Sequence, residues 1–174
     1  RQVCVECLKS RENPPYLRLM WRIGWHCHCD RHRVCLIDHC TECGATIQPF
    51  KADLEHDCLA ICTICGFDLR NFEGSKNINL NALNFQNKAD QVLNQKVGFY
   101  NQSRVTSQAW FEIARAWLSE IRFLVNTSNK NVIQLFESFD VNLHLAYPIT
   151  PLAFEYLNKQ ERIVLLSILD QIME

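Results

Sequence analysis

The sequence predicts a small, loop-rich α+β region held together by metal ligation, followed by an all-α helical module. Two observations predict it. All ten cysteines lie between Cys4 and Cys65, mostly in pairs two residues apart, and none follows. Beyond residue 105, apolar residues recur at three- and four-residue steps, the period of an amphipathic helix. The composition changes near Gly74, from cysteines, histidines and short loops to Asn, Leu, Phe and Ile. The expected organisation is therefore a metal-binding domain over 1–73, a polar linker with a possible helix over 74–104, and a helical domain over 105–174.

The bulk properties narrow the class. A chain of 174 residues with a net charge of −1 has no global attraction to nucleic acid or to an acidic membrane, so any such contact needs a local patch. No stretch is long and apolar enough to cross a bilayer, and no targeting segment is visible. The chain starts at Arg1 rather than Met, which reads as a fragment or a trimmed product. A secreted disulfide framework is the first alternative for so many cysteines. The CxxC spacing and the interspersed histidines argue against it: two intervening residues make a poor structural bridge but a good chelate. Metal ligation in turn implies a reducing, intracellular compartment.

Four ligand pairs stand out: Cys4/Cys7, Cys29/His32, Cys40/Cys43 and Cys62/Cys65. A tight turn across each pair aims both side chains at one ion while backbone N–H groups support the thiolates. About twenty residues separate the first pair from the second and the third from the fourth, the range of paired zinc knuckles. The simplest pairing is sequential, first with second and third with fourth; a crossed pairing, first with third and second with fourth, is the rival. Thiolate and imidazole donors suit Zn²⁺. Four protein ligands at each ion leave no open position for water, so both sites read as structural. The fold class is thus a zinc-stabilised α+β tandem zinc-finger region ahead of the helical module, with two Zn²⁺ ions as its cofactors.

Cys27, Cys35 and Cys58 remain, and read as small buried residues or free thiols. Cys58, just before Cys62, competes as a ligand. His26 and His28 crowd the first site, while His39, His56 and His144 read as surface or packing residues.

In the second half the clearest helix is Thr106–Asn126, with Trp110, Ile113, Ala114, Trp117, Ile121 and Leu124 on one stripe and Thr106 or Ser107 as N-cap. Shorter helices are expected at Asn131–Phe139 and at Leu152–Leu157, the latter started by Thr150 and Pro151. A final helix is expected over Lys159–Met173, and a further one over Gln86–Val97. Gly74–Asn87 reads as an Asn-rich linker or loosely held cap.

The loop between the first two ligand pairs carries Arg18, Arg22, Arg31 and Arg33 interleaved with Tyr16, Trp21 and Trp25, a pattern that can grip phosphates and stack on bases or a partner. The bland reading is a strand, because Leu17, Leu19, Trp21, Ile23 and Trp25 alternate with Arg18, Met20 and Arg22. No catalytic set is visible: there is no phosphate-cradling glycine loop and no nucleophile elbow. Asp53, Glu55 and Asp57 alternate and read as a solvated loop.

The order of these elements resembles the zinc-binding region of the TniQ/TnsD proteins of Tn7-like transposons. The resemblance is carried by Cys4–Cys7, Tyr16–Leu17–Arg18, Trp21, Cys29–Asp30–Arg31–His32, Leu36, Cys40–Cys43–Gly44 and Cys62–Cys65–Gly66, with LAFEYLNKQERIVLLSIL similar to segments downstream in that family. It is strongest over residues 1–70. The N-terminal helix-turn-helix region usual in the family is missing ahead of the first ligands. The resemblance implies a non-catalytic adaptor in bacterial DNA transposition, cytoplasmic, that links a target (DNA or a CRISPR effector complex) to an AAA+ ATPase. A stand-alone zinc-dependent DNA-binding regulator and a zinc hydrolase with an open coordination position are the alternatives.

Overall fold

The structure, a computed structural model, describes residues 2–10, 15–52, 58–126 and 153–174. The chain divides into two compact units, Arg1–Ile78 and Asn79–Glu174. The stretch expected as a linker is therefore shared out: residues to 78 belong to the first unit, and those from 79 begin the second. The expected helix over Asn131–Phe139, the start at Thr150–Pro151, and Asp53, Glu55, Asp57, His56 and His144 lie outside the described residues.

The first unit has little regular structure. Helix α1 (Val5–Leu8) is a single turn, and 3-10 turns occupy Leu19–Arg22, Pro49–Lys51 and Leu69–Asn71. Isolated antiparallel bridges replace a sheet: Val3 with Ile37, His28 with Cys35, His39 with Thr46 and Ile61 with Asp68. A core of short aliphatic side chains, among them Val3, Val5, Leu8, Val34, Leu36 and Leu69, packs together with Cys4, Cys29, Cys40 and Cys62. The alternation at Leu17–Trp25 does not make a strand. Leu19–Arg22 curls into a 3-10 turn in which Trp21 is 3% exposed and Leu19 76%. Burying one large indole satisfies the segment better than pairing it along an edge.

The second unit is built from helix α2 (Leu80–Gln95), strands β1 (Val97–Tyr100) and β2 (Ser103–Thr106), helix α3 (Ser107–Asn126), a 3-10 turn at Phe154–Tyr156 and helix α4 (Lys159–Ile172). Asn79, inside the supposed linker, caps α2 by accepting the Ala82 N–H at 2.9 Å. Ala82, Phe85, Gln86, Ala89 and Val92 then form its buried face. Asn158 and Glu161 close a reciprocal capping box at the start of α4. In α4 Leu165, Leu166, Ile168 and Leu169 are all buried, and α2 is its main packing partner. The buried carboxylate of Asp170 pairs with Lys88 Nζ of α2 at 2.9 Å.

The second unit is not all-α. β1 and β2 pair antiparallel from Val97 with Thr106 to Tyr100 with Ser103. Asn101 and Gln102 form the two-residue turn at φ 48° and 61°, the left-handed pair that matches strand twist. The β-branched and aromatic residues of VGFY and SRVT favour strands; the turn lacks the Asn-Gly signal that would have announced it. Gly98 lets Trp110 lie against β1, since a Cβ there would sit 2.6 Å from Trp110 Cδ1. Trp110 also packs on Phe85 at 5.4 Å between ring centroids. Thr106 Oγ1 accepts the Ala109 N–H at 3.2 Å and so caps α3.

Candidate metal centres

Three of the four ligand pairs share one backbone geometry. At Cys29, Cys40 and Cys62, the N–H of the first ligand donates to the carbonyl five residues on (Val34, Ala45 and Phe67) at 2.8, 2.7 and 2.8 Å. The N–H four residues on (Arg33, Gly44 and Gly66) donates back to the first ligand's carbonyl at 2.8, 2.9 and 2.9 Å. That fourth residue is left-handed each time, with φ 48° at Arg33, 69° at Gly44 and 73° at Gly66. The flanking bridges, His28 with Cys35, His39 with Thr46 and Ile61 with Asp68, fall at the same offsets. Glycine reaches this conformation without strain, whereas Arg33 pays a steric cost there. The glycine after CxxC was visible in the sequence; the equivalence of Arg33 was not, because an arginine hides it.

The first pair differs. Cys4 is the N-cap of α1, and its Sγ accepts the Cys7 N–H at 3.4 Å. A helix N-terminus favours a thiolate by its dipole and its free N–H groups. Within the same turn Glu6 is held well below the usual carboxylate range, first by the hydrogen bond from Lys9 and then by the Gly74 N–H.

These turns gather the eight predicted residues into two tetrads, Cys4/Cys7/Cys29/His32 and Cys40/Cys43/Cys62/Cys65, each with its donor atoms within 4.8 Å of one another. The pairing is sequential rather than crossed. In the first tetrad Cys7 Sγ is 3.7 Å from Cys29 Sγ and 3.3 Å from His32 Nδ1, and Cys4 Sγ and Cys29 Sγ are each 3.7 Å from that nitrogen. In the second, Cys40 Sγ is 3.7 Å from Cys65 Sγ and Cys43 Sγ is 3.8 Å from Cys62 Sγ. A tetrahedron with metal–sulfur bonds of about 2.3 Å and metal–nitrogen bonds of about 2.0 Å has S···S edges of about 3.8 Å and S···N edges of about 3.5 Å. A disulfide would need about 2.05 Å, and none of the ten cysteines is in a disulfide. Each tetrad can hold one metal ion.

Both tetrads follow one rule of burial. The first residue of every pair (Cys4, Cys29, Cys40 and Cys62) is buried in the core, and the second points outward. Cys7 and His32 are half-buried, whereas Cys43 and Cys65 are exposed.

The sulfurs polarise one another at these distances. Cys29 is drawn down to about 4, chiefly because Cys4 donates a hydrogen bond to it; the same bond pushes Cys4 far above the ordinary thiol range. Burial pushes Cys7 up. Burial also acts upward on Cys62, but the backbone N–H groups of Cys65 and Ile64 outweigh it and bring this thiol to about 7. The Phe67 backbone lowers Cys65, yet desolvation and hydrogen bonding with Cys43, Cys62 and Cys40 carry it up to about 12. In each tetrad one thiol is drawn down (Cys29, Cys62) and another is pushed up (Cys4, Cys65), and a divalent cation would let both members of each such pair lose their protons together.

The remaining candidates fall outside the tetrads. Cys27 is buried, and the buried Cys35 donates its S–H to the Asn77 carbonyl at 3.2 Å. Cys58 packs against the core and does not join the second tetrad. His39 is exposed and pairs with Asp38 at 2.9 Å, while His26 and His28 are buried. Of the four arginines, Arg18 and Arg31 line one cavity of about 310 Å³ beside Cys29, along with Trp21, His26 and His28. The Arg18 guanidinium lies 5.7 Å from the Tyr16 ring centroid and 5.9 Å from that of Trp21. Arg22, Arg31 and Arg33 are exposed. No helix among the described residues is long and apolar enough to cross a membrane.

The fold and the donor sets define a class: a unit with two Cys/His tetrads, each able to hold a metal ion, joined in one chain to a helical unit with a β-hairpin. No family model, no curated protein and no solved structure matches the chain.

Proposed function

We propose that this chain is a non-catalytic adaptor in DNA transposition, of the TniQ/TnsD kind, with two structural Zn²⁺ ions holding its first unit in shape. The observation that carries the reading is closure. Each tetrad offers four protein donors at tetrahedral spacing, and a catalytic zinc needs an open position for water or substrate. Zinc is favoured over other metals because the donors are thiolates and one imidazole and the edges fit its bond lengths. When bound, the ions neutralise the crowded sulfurs and cross-link short loops that bury too little apolar surface to hold themselves.

The family reading rests on the order of motifs from Cys4–Cys7 to Cys62–Cys65–Gly66. The contact surface is assigned to Arg18, Arg22, Arg31 and Arg33, around the first tetrad, with target DNA or a CRISPR effector complex on one side and an AAA+ ATPase as the partner recruited. The tetrads carry net negative charge, about −1 for three thiolates and about −2 for four. A DNA contact must therefore be a local arginine strip, weakening as salt rises.

The test mixes the zinc-loaded chain with a cognate AAA+ transposition ATPase, target DNA and a CRISPR effector complex. Recruitment of the ATPase to a target only when this chain is present is the expected result. DNA binding with no response to the ATPase would favour the stand-alone regulator. Binding to none of them would remove the adaptor reading.

A further inference from the structure

The two tetrads differ in a way that their adaptor or scaffold role does not require. We propose that the second tetrad is a modification site for hydrogen peroxide: Cys43 and Cys65 are the sulfurs attacked first, and this tetrad gives up its zinc while the first keeps its own. The proposal rests on the zinc reading and not on the role in transposition.

Access is the first argument. Cys43 and Cys65 are exposed, whereas the matching positions of the first tetrad, Cys7 and His32, are half-buried. The turns that carry them are open too. Thr41, Glu42 and Ile64 are exposed, and nothing lies within 4 Å of a Cβ built on Gly44 or Gly66. A small neutral oxidant meets no wall there.

Charge is the second. Four thiolates leave the loaded site at about −2, against about −1 with one imidazole, so its sulfurs keep more electron density for attack on an electrophile. The first tetrad offers one fewer sulfur, and its one outer sulfur, Cys7, is half-buried.

Geometry supplies the resolving step. An exposed thiolate attacks one peroxide oxygen: the S–O bond forms, the O–O bond breaks and hydroxide leaves, giving a sulfenic acid. The buried partner thiolate then attacks that sulfur: the S–S bond forms, the S–O bond breaks and a second hydroxide leaves. Two thiolates are oxidised and one peroxide is reduced to two hydroxides. Cys62 stands 3.8 Å from Cys43, and Cys40 stands 3.7 Å from Cys65, so each exposed sulfur has a buried partner in reach. Either disulfide removes two of four donors, and zinc dissociates.

The test treats the zinc-loaded full-length chain with graded hydrogen peroxide. Native mass spectrometry counts the ions, and peptide mapping after alkylation locates the oxidised cysteines. The expected result is a species that keeps one zinc of two, with Cys43–Cys62 or Cys65–Cys40 linked and Cys4, Cys7 and Cys29 unoxidised. Cys65→His keeps four donors while lowering the site's negative charge, and should slow zinc loss several-fold. Simultaneous loss of both ions, earlier loss from the first tetrad, oxidation of Cys7 as fast as Cys43, or an unchanged rate in a folded Cys65→His chain would each overturn the proposal. If Cys65→His does not fold, the order of oxidation in the wild-type chain decides alone. A folded preparation carrying no zinc would overturn this proposal and the zinc reading together, whereas two ions released in the wrong order would overturn this proposal only.

Discussion

Among the described residues the first unit buries short side chains such as Val3, Val5 and Val34 around its paired cysteines, and its longest helix is a single turn. The second buries whole helix faces, with α2 against α4 and Trp110 between Phe85 and Gly98. Apolar burial is nearly insensitive to metal and to protons, whereas thiolate ligation depends on both. With its tetrads loaded, the one chain would carry two kinds of stability, which chemistry can separate.

Metal removal should separate them most sharply. A structural zinc contributes on the order of 10 kcal/mol to folding. Stripping the full-length chain with a chelator should unfold the first unit and leave the far-ultraviolet helical signal of α2, α3 and α4 in place. Cys7→Ser, which removes one donor, should act in the same direction on the first tetrad. Acid should reproduce the effect, because protons compete with the ion for sulfur and imidazole: zinc binding falls as pH falls, and the first unit unfolds before the second. Loss of both units together at one chelator concentration would break the comparison.

The converse test lies in α4. Leu169 is fully buried, so Leu169→Ala should cost about 2–5 kcal/mol, through lost burial and the cavity left behind. Hydrogen exchange should quicken in α2 and α4, while the zinc count stays at two.

How far each unit could be read from sequence follows from the same contrast. Ligands are spaced by backbone geometry, so Cys4, Cys7, Cys29, His32, Cys40, Cys43, Cys62 and Cys65 stood out as pairs, and the structure brings them together as such. The stripe of α3 was legible because Trp110, Ala114 and Ile121 are large or apolar at helical spacing, and all three are buried. Helix α2 was half-hidden. Its start is rich in Asn, a turn former by its own propensity, and only the cap at Asn79 and the packing of Ala82 and Phe85 turn that stretch into helix. The hairpin was hidden entirely, since Asn101-Gln102 resembles any polar loop until both residues are seen at positive φ. The 3-10 turn at Leu19–Arg22 misled for another reason: alternation describes a strand only where a neighbour pairs with it.

The shared turn geometry allows a finer test within the first unit. Gly66→Ala places a Cβ on a residue at φ 73°. The position is open to solvent, so the cost is conformational alone, about 1–2 kcal/mol. Arg33 already bears such a cost at φ 48°, and Arg33→Gly should recover up to about 1 kcal/mol. Opposite signs for the two variants, measured by competition with a zinc chelator, would tie all three turns to one conformation. Equal signs would mean that Arg33 is held by contacts of its side chain.

The smallest effect is expected at a cysteine that is not a ligand. Cys35 is buried like Cys29, yet it lies outside both tetrads and gives its S–H to the Asn77 carbonyl at 3.2 Å. Serine can donate the same hydrogen bond from nearly the same position, so Cys35→Ser should cost about 1 kcal/mol or less. The zinc count should remain two, where Cys7→Ser should lower it. Residue type is matched between the two substitutions and Cys35 is the more buried of the pair, so packing alone would put the larger loss at Cys35 and ligation puts it at Cys7. A loss at Cys35 as large as that at Cys7 would mean that packing rather than ligation holds the first unit together.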